Sequence, residues 1–511
     1  MKSNILKLSL FATGLSGIVA EYILATLATY FLGDSILQWT MILSVMLFSM
    51  GLGSRISKFI DKHLLERFIF IEFTLSVLVS FCALTTYFLA GATTYHYLII
   101  YSFSIVIGLL IGLEIPLVIR LNDQFEELKV NVSAVMEKDY YGSLIGGIFF
   151  VFVGLPKLGL TYTPFVLGGL NLVVAFLLFI FLRKRIDKPL GLPIQLTGFF
   201  ITALIILGVI FAQPIVQYGE QKQYKDKIVY TERSKYQRLV ITQYKDNYWF
   251  YINSNQQLST VDEHLYHEPM VHPVMKLSNY AKNVLILGGG DGCAAREVLK
   301  HPEVEQIKLV DLDPMVTKLA KNNTIFNTMN DSALWNPKVE VLNMDAYTYL
   351  QQTKEYYDVI IVDFPDPKSV ELARLYSYEF YKLCHRQLRP NGLIVIQSGS
   401  PYFATKAFLC IGKTVRAAGF NTTQLHNQVI TLGQWGWTIG AKAIPETQLV
   451  TRLRELSFED IPTRWLNHDA MYLITAFGKP LVEVDTAAIL INKVHEPILD
   501  AYYTQGNWEW Y

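Results

Sequence analysis

The sequence contains little cysteine, no excess of charge of either sign and no basic tract. It has four cysteines without CxxC pairing or zinc-ligand spacing, at Cys82, Cys293, Cys384 and Cys410. That pattern argues against a disulfide framework and against a metal site. The 44 basic residues balance the 44 acidic residues, so nucleic acid is not an expected partner. We therefore expect a small-molecule ligand and no metal.

Charged residues are scarce as well, because they make up 17% of the 511 residues while hydrophobic residues make up 51%. Long apolar runs account for this balance before about residue 215, and each is near the roughly 20 residues that cross a bilayer core. We count about seven, centred on Ile18, Leu43, Leu75, Ile105, Phe150, Val173 and Ile205. The first run is too long, and lacks the small-residue cleavage site, for a removable signal peptide. A multi-span membrane domain is therefore predicted over residues 1–215.

Basic residues occur in every second loop of this apolar region. They follow the second, fourth and sixth runs, at Arg55, Lys58, Lys62 and Arg67, at Arg120, Lys129 and Lys138, and at Arg183, Lys184, Arg185 and Lys188. The intervening loops hold only Lys157. Since Lys and Arg are retained on the cytoplasmic side, these loops are expected inside. Seven spans would then place the C-terminal half of the chain outside the cytoplasm.

Three glutamates, Glu21, Glu72 and Glu114, lie within the apolar runs. An ionised carboxylate there costs at least about 2.5 kcal/mol unless it faces a partner or water. One interpretation is a polar cavity between the helices. The other is that these carboxyls are protonated, or bond between helices purely for packing.

The sequence pattern changes beyond the apolar region. Residues 216–227 are polar and are predicted to be a linker. Residues 228–275 alternate in the manner of β-strands and predict a small antiparallel sheet. Short buried-type strands then alternate with helical segments over residues 276–511, which predicts a parallel, doubly wound, Rossmann-like α/β domain.

Polar and glycine residues follow the first three strands of this α/β domain. Gly288, Gly289 and Gly290 end the first strand, where bare backbone can approach a nucleoside ligand. Asp311 ends the second strand, at the position from which an acid bonds a ribose diol, and Asp345 ends the third, where it could accept from an adenine amine. Glycines after a strand also occur in ordinary tight turns. The prediction of a nucleoside site therefore depends on the glycines and Asp311 occurring together.

Asp291 indicates which nucleoside is preferred. A carboxylate beside the glycines repels the carboxylate of S-adenosylmethionine but pairs with its ammonium group. Decarboxylated S-adenosylmethionine keeps that amine and has lost the acid. Asp291 therefore favours the decarboxylated donor on electrostatic grounds.

The segment GGGDGCAAREVLKHPEVEQIKLVDLDP resembles the signature of the spermidine synthases, polyamine aminopropyltransferases, with Cys293 where glycine is usual. The resemblance continues through SKYQ at 234–237, QLSTVDEHLYHEP at 257–269, DFPDP at 363–367 and LYSYEFY at 375–381. It implies that the donor is held by Gln237, Gln257, Asp291, Asp311 and Asp345. It also implies that Tyr266, His267, Asp363, Asp366 and Gln397 surround the reacting amine, with Asp366 as the catalytic carboxylate. The apolar N-terminal region is similar to the membrane-attached bacterial branch of this family.

Three departures from the family pattern affect these expectations. KSVELARLY follows Asp366-Pro367 in place of GPAExLY, which changes the gate over the site and its adenine contacts. Asp311 replaces the commoner glutamate and has a shorter reach to the ribose. TVDEH replaces TERDEF, which leaves Asp262 and Glu263 as further acids near the amine pocket.

The predicted reaction is an aminopropyl transfer to an amine, with putrescine as the acceptor that the resemblance implies. The leaving thioether needs no acid, but an amine with a pKa near about 10.4 must lose a proton to attack. Asp366, with Tyr266 orienting it or the amine, would accept that proton. No cofactor is expected, since decarboxylated S-adenosylmethionine is a co-substrate. The expected partners are these small molecules and a lipid bilayer, and self-association into a homo-oligomer is left open.

Two other functions are consistent with parts of the pattern. A methyltransferase shares the fold and the nucleoside site, although Asp291 argues against it. A membrane transporter or sensor that binds polyamine without turnover would account for the intramembrane glutamates. For an enzyme, the supply of intracellular metabolites favours an inner-membrane protein whose catalytic half is cytoplasmic, in conflict with the loop charges.

Overall fold

The computed structural model of the chain describes residues 2–32, 35–90, 95–278, 280–478 and 484–508. It divides into two compact units, residues 1–227 (unit 1) and 228–511 (unit 2). In its described part, unit 1 consists of α1 Lys2–Leu32, α2 Ser35–Ile56, α3 Leu64–Ala90, α4 His96–Asn122, α5 Leu128–Phe149, α6 Gly159–Leu182 and α7 Lys188–Gln223.

Six helical segments in the described part of the chain are long and apolar enough to cross a membrane, by length and composition. One of them, Leu128–Arg185, covers 58 residues. At 1.5 Å per residue it would extend about 87 Å as one straight helix, almost three times a bilayer core of about 30 Å. It is instead divided into α5 and α6 by a π-helical stretch, Phe150–Leu158, and by Gly159, whose φ of +65° ends the helical path. This segment therefore accounts for two of the predicted spans, and the count of seven stays a prediction.

The basic loops and the start of α1 lie at the same end of the unit 1 bundle. Lys7 pairs with Glu126 at 2.6 Å, and Arg185 donates to Gln124 at 2.9 Å. At the opposite end Tyr30, near the end of α1, donates to Gln223, the last residue of α7, at 3.4 Å. The cytoplasmic placement of unit 2 stays a prediction. If it is correct, the basic loops must face away from the cytoplasm, because they lie at the end of the bundle opposite the end of α7.

The linker predicted over residues 216–227 is largely helical in the structure. Helix α7 continues through Pro214 to Gln223, and β1 begins at Lys227. Glutamine, glutamate and lysine are good helix formers, so a polar composition does not by itself end a helix. The sequence pattern predicted a linker without predicting its conformation, and most of these residues continue the last helix of unit 1.

Unit 2 begins with a four-stranded antiparallel sheet in the order β1-β2-β3-β4, as predicted. Its strands are β1 Lys227–Arg233, β2 Arg238–Tyr244, β3 Asn247–Ile252 and β4 Asn255–Ser259. The tight turn between β2 and β3 is centred on Lys245-Asp246, with Lys245 at a φ of +54°.

A seven-stranded sheet follows, in the order β10-β11-β9-β8-β5-β6-β7. Its strands are β5 Asn283–Gly288, β6 Gln306–Asp311, β7 Val339–Asn343, β8 Tyr357–Asp363, β9 Leu388–Gly399, β10 Asn421–Val429 and β11 Gly433–Ala441. Strands β5 to β9 pair in parallel, whereas β10 and β11 form an antiparallel hairpin at one edge. The strand order reverses at β5, which lies between β8 and β6. The carboxyl ends of β5 and β8 are therefore the expected place for a ligand.

Helices cover both faces of this sheet. They are α8 His264–Leu277, α9 Cys293–Leu299, α10 Pro314–Asn322, α11 Thr324–Met329, α12 Ala346–Gln352, α13 Val370–Ala373, α14 Tyr378–Gln387, α15 Thr405–Ala417, α16 Glu446–Arg454, α17 His468–Ile474 and α18 Leu499–Thr504. Along β5, Ile286 packs into one apolar core and Leu285 and Leu287 into the other. Burial on both faces explains why the central strands are continuous apolar runs in the sequence.

Candidate active site

The glycine loop after β5 lies against the end of β8. Gly288 and Gly289 have φ angles of +82° and +62°, and the Gly289 N–H donates to the Asp363 carbonyl at 3.1 Å. A β-carbon on Gly288 would be 2.1 Å from that carbonyl oxygen. Glycine is therefore required here both by the positive φ and by the close approach of two backbones.

We expect Gly288→Ala to destabilise unit 2 and to abolish nucleoside binding. The left-handed conformation costs a non-glycine residue about 1–2 kcal/mol, and the contact with Asp363 adds to it. Thermal unfolding of the purified protein would measure the loss. Gly478→Ala is a matched control, because no atom lies within 4 Å of its added carbon. Equal stability of the two variants would contradict the prediction.

Asp311, at the end of β6, lies directly beneath the glycine loop. Its carboxylate accepts from the N–H groups of Gly290 at 3.1 Å and Asp313 at 2.9 Å. Burial raises the pKa of Asp311 to about 6; the hydrogen bond from Asp313 lowers it and the charge of Asp291 raises it further. The structure thus brings Asp311 to the glycines, as predicted for a ribose contact.

Asp291 and His267 face each other at the start of α9. The Asp291 carboxylate accepts from the Cys293 N–H at 2.8 Å, and His267 Nε2 lies 4.0 Å from its Oδ1 atom. The other nitrogen of His267 bonds the Glu263 carboxylate at 3.0 Å, and Glu263 also pairs with Arg296 at 2.7 Å. His267 therefore lies beside the predicted donor-binding acid, although it was predicted to contact the amine.

The carboxylates around His267 favour its protonated form. Burial alone lowers the pKa of His267, but the hydrogen bond and charge of Glu263 and the charge of Asp291 outweigh it and raise the pKa to about 9. Ligand atoms of His267, Asp291 and Asp363 lie within 4.8 Å of one another, close enough to hold a metal ion. The raised pKa favours the imidazolium form, which pairs with these carboxylates, and a metal ion would have to displace that proton to bind His267.

Tyr266 and Asp363 form a second pair at the end of β8. The Tyr266 hydroxyl donates to the Asp363 carboxylate at 2.7 Å. Burial raises the pKa of Asp363 to about 6, the charge of Asp291 raises it further, and His267 and the Tyr266 hydrogen bond lower it. The sequence predicted that Tyr266 orients either Asp366 or the amine. In the structure its hydroxyl bonds Asp363 rather than Asp366, and its contact with the amine stays a prediction.

Asp366 takes different donors. Its Oδ1 accepts from Gln397 Nε2 at 2.7 Å, and its Oδ2 accepts from the Tyr503 hydroxyl at 2.6 Å. Gln397 is itself fixed, because its side-chain oxygen accepts from the Gly399 N–H at 3.0 Å. Both carboxylate oxygens of Asp366 thus have a neutral donor, which orients the group without cancelling its charge.

The chain is similar to known proteins over nearly its whole length. The model of the spermine/spermidine synthase domain matches residues 263–449. The chain is 40% identical to polyamine aminopropyltransferase 2 of Aquifex aeolicus, with 98% of each chain covered. The chain belongs to the polyamine aminopropyltransferase family. The family enzyme of Oceanobacillus iheyensis is 37% identical, with 100% of this chain and 98% of that one covered. A crystal structure of spermidine synthase from Thermotoga maritima is 27% identical over 49% of this chain and 85% of that one, with a TM-score of 0.44.

Tyr503 was missed by sequence reasoning about this aminopropyltransferase. It lies on α18, outside the residues 263–449 that match the family domain, and more than a hundred residues beyond Asp366. Trp508 holds it in place by a ring contact of 4.7 Å between centroids. The aromatic-rich end of the sequence, YYTQGNWEWY, was the available signal, but aromatic residues more often pack than bind.

We expect Tyr503→Phe to weaken binding of the amine substrate. It removes one of the two donors that orient Asp366, and hydrogen bonds to charged groups contribute about 1.5–3 kcal/mol, or roughly 10- to 100-fold in affinity. Steady-state kinetics would show the rise in KM for the amine with a smaller change in kcat. Tyr502→Phe is the control, since its hydroxyl bonds the Leu490 N–H rather than the site. An unchanged KM would show that Tyr503 has no part in orienting Asp366.

The remaining predicted donor residues are less directly placed. Asp345 caps α12 by accepting from the Thr348 N–H at 2.9 Å, and its second oxygen pairs with Arg374 of the altered gate segment. The Gln257 amide donates to the carbonyl of Asn255 at 3.1 Å. Their donor-binding roles stay predictions.

Gln237 is linked to the nucleoside side of the site through Ser234. The Ser234 hydroxyl accepts from the Gln237 N–H at 3.0 Å and donates to Asp313 at 2.6 Å, two residues beyond Asp311. This brings the SKYQ turn to the end of β6. The Gln237 side chain is half-buried there, and its contact with the donor stays a prediction.

Proposed function

We propose that unit 2 transfers the aminopropyl group of decarboxylated S-adenosylmethionine to a primary amine, with putrescine as the acceptor and spermidine and methylthioadenosine as products. The observation that carries this proposal is the convergence of Asp291, Asp363 and Asp366 at the carboxyl ends of β5 and β8. Both substrates are cationic, and a rim of carboxylates attracts cations. The relatives that match nearly the whole chain are named polyamine aminopropyltransferases, which supports the same reaction class.

The donor would lie across the glycine loop. Its adenosine would meet Asp311 through the ribose, and its aminopropyl ammonium would pair with Asp291. The loop itself adds no side chain, which lets the sulfonium approach the backbone beside Asp363. This places the carbon that is attacked next to the end of β8.

The reaction requires one proton acceptor. The amine nitrogen, once neutral, donates its lone pair to the methylene carbon beside the sulfonium. The carbon–sulfur bond breaks and its electron pair stays on sulfur, which leaves as a neutral thioether. The carboxylate of the enzyme takes the proton that the ammonium loses before the attack, and the nitrogen of the product becomes a secondary ammonium.

We assign that acceptor to Asp363 rather than to Asp366, which the sequence had suggested. Asp363 is next to the donor loop, is oriented by Tyr266, and has a pKa raised to about 6. A pKa nearer the working pH makes it a better base than an ordinary aspartate. Asp366, held by Gln397 and Tyr503, would anchor the far ammonium of a diamine. Two carboxylates three residues apart thus divide binding from proton removal.

The test uses purified full-length protein in detergent, incubated with decarboxylated S-adenosylmethionine and a panel of mono- and diamines. Mass spectrometry should detect methylthioadenosine together with an acceptor heavier by one aminopropyl group. A parallel reaction with S-adenosylmethionine tests for methyl transfer. Methylated product, or intact ligands after long incubation, would overturn the proposal in favour of a methyltransferase or a binding protein.

We further propose that unit 1 lies in the bacterial inner membrane with unit 2 in the cytoplasm. Access to the soluble donor supports the cytoplasmic side, whereas the basic loops support the opposite orientation. Alkaline phosphatase and a fluorescent protein, each fused to the C-terminus, would decide between them. An active phosphatase fusion would place unit 2 outside and contradict this proposal.

A further inference from the structure

Unit 1 contains buried acids that aminopropyl transfer does not use. Glu72 on α3 and Glu114 on α4 are fully buried. They are close enough to interact electrostatically, and both lie beside Thr13 of α1. Three helices therefore bring two carboxyl groups to one place inside the bundle.

Neither carboxyl group has a hydrogen-bond partner among the described residues. All four of their oxygens are buried without one. The Thr13 hydroxyl beside them donates its hydrogen to the Ser9 carbonyl at 3.0 Å, so towards these carboxyls it can act only as an acceptor. Buried polar groups in helix bundles normally have a hydrogen-bond partner, because a carboxylate without one is energetically costly away from water.

No basic side chain within the described part of unit 1 neutralises these acids. The ion pairs found there are at the loops and helix ends, namely Lys7–Glu126, His63–Asp187, Arg120–Asp61 and Lys138–Glu137. Two carboxylates that interact at close range cannot both be ionised without a positive charge between them. A proton on one carboxyl relieves the repulsion, and a cation that enters from outside the chain would relieve it while leaving both carboxylates ionised.

Further acids lie above and beside this pair. A β-carbon on Gly14 would be 2.9 Å from the Asp139 carboxylate, which places Asp139 against the same turn of α1 as Thr13. Glu21 is eight residues beyond Thr13, about 12 Å along the helix, and its Oε1 atom is also buried without a partner. Carboxyl groups thus occur at two levels, separated by an apolar stretch that includes Gly17 and Ile111, whose side chain lies close to Gly17.

We propose that unit 1 holds a binding site for a linear polyamine, with ammonium groups at Glu72 and Glu114 and a further one at Glu21. A polyamine alternates charged nitrogens with methylene segments, which matches carboxyls at two levels with apolar helix between them. A monatomic cation requires several oxygen ligands around one point and leaves Glu21 unused. This inference rests on the proposed function, which makes polyamines the cations that the enzyme handles.

Equilibrium dialysis of the full chain in detergent with radiolabelled spermidine tests the site. We expect two equivalents bound per wild-type chain, one in each unit. Glu114→Gln should lose the unit 1 equivalent and keep aminopropyl transfer, whereas Asp366→Asn should lose the unit 2 equivalent. Glu137→Gln removes an exposed acid of α5 and should keep both.

Retention of two equivalents by both Glu114→Gln and Glu72→Gln would overturn the site. Uptake of sodium or potassium that depends on Glu114, without uptake of spermidine, would overturn the choice of ligand. Aminopropyl transfer by the Glu114→Gln variant shows that this variant is folded. If the Glu114→Gln variant does not fold, Glu72→Gln is used in its place. Binding that depends on Glu114 in a chain without transferase activity would leave this site standing and reject the proposed function.

Discussion

The Asp363→Asn variant is expected to lower kcat about 100- to 10,000-fold, the range over which a general base contributes. Asparagine keeps the shape of the side chain but cannot accept the proton that the amine must lose. Asp366→Asn is expected to act mainly on binding, with a rise in KM for the amine, because the proposed role of Asp366 is to hold the second ammonium of the acceptor. Steady-state kinetics of both variants at saturating donor would separate these effects.

The control for this pair is Glu459→Gln, which removes an exposed acid beyond the end of α16 and should leave both constants unchanged. A larger fall in kcat for Asp366→Asn than for Asp363→Asn would show that Asp366 is the base, as the family resemblance implies.

The pH profile gives an independent check of Asp363. Its raised pKa of about 6 means that the active, deprotonated form is complete above that pH and is lost below it. At saturating donor, kcat/KM for the amine should therefore fall about tenfold per pH unit below 6, beyond the decline caused by protonation of the amine itself. Tyr266→Phe removes a hydrogen bond that lowers the pKa of Asp363, so it should move this limb to higher pH. If the acidic side of the pH profile did not move, Tyr266 would have no influence on the pKa of the base.

The Asp291→Asn variant is expected to weaken binding of decarboxylated S-adenosylmethionine about 10- to 100-fold, because it removes a charge-assisted contact of about 1.5–3 kcal/mol with the donor ammonium. It should also reduce discrimination against intact S-adenosylmethionine, whose carboxylate Asp291 repels. Both changes can be measured, the first as KM for the donor and the second as inhibition by S-adenosylmethionine.

Glu340→Gln controls for loss of an acid elsewhere in unit 2, since Glu340 pairs with Lys308 on β6 with its side chain half exposed. Tighter inhibition by S-adenosylmethionine together with weaker donor binding is the expected signature. A fall in affinity for both ligands alike would mean that Asp291 acts only by capping α9.

The parallel part of the sheet could be predicted from the sequence because its central strands are buried on both faces and appear as uninterrupted apolar runs. The motif residues at the ends of β5, β6 and β8 followed from that, since the carboxyl ends of parallel strands share one edge. The β10–β11 hairpin was not anticipated. Its strands mix buried polar residues such as His426 and Asn427 with apolar ones, so they lack a regular alternation.

Pairings between side chains were the least predictable part of the site. Tyr266 could reach either acid of DFPDP by sequence spacing, and only the position of α8 against β8 decides for Asp363. His267 lies near both Asp291 and Asp363, with its ring oriented by Glu263 one helical turn earlier, so its predicted contact with the amine stays a prediction. Tyr503 could not be found at all, since no local rule connects the last helix to a loop more than a hundred residues earlier.

The backbone contact between Gly289 and Asp363 couples the donor loop to the base through neighbouring strands, whereas the group that orients Asp366 comes from a short terminal helix. Variation in the terminal helix can therefore alter which amine is accepted while the geometry of sulfonium attack stays constant. Exchange of residues 484–508 between related enzymes is a route to new acceptor preferences that leaves the chemistry of bond cleavage intact.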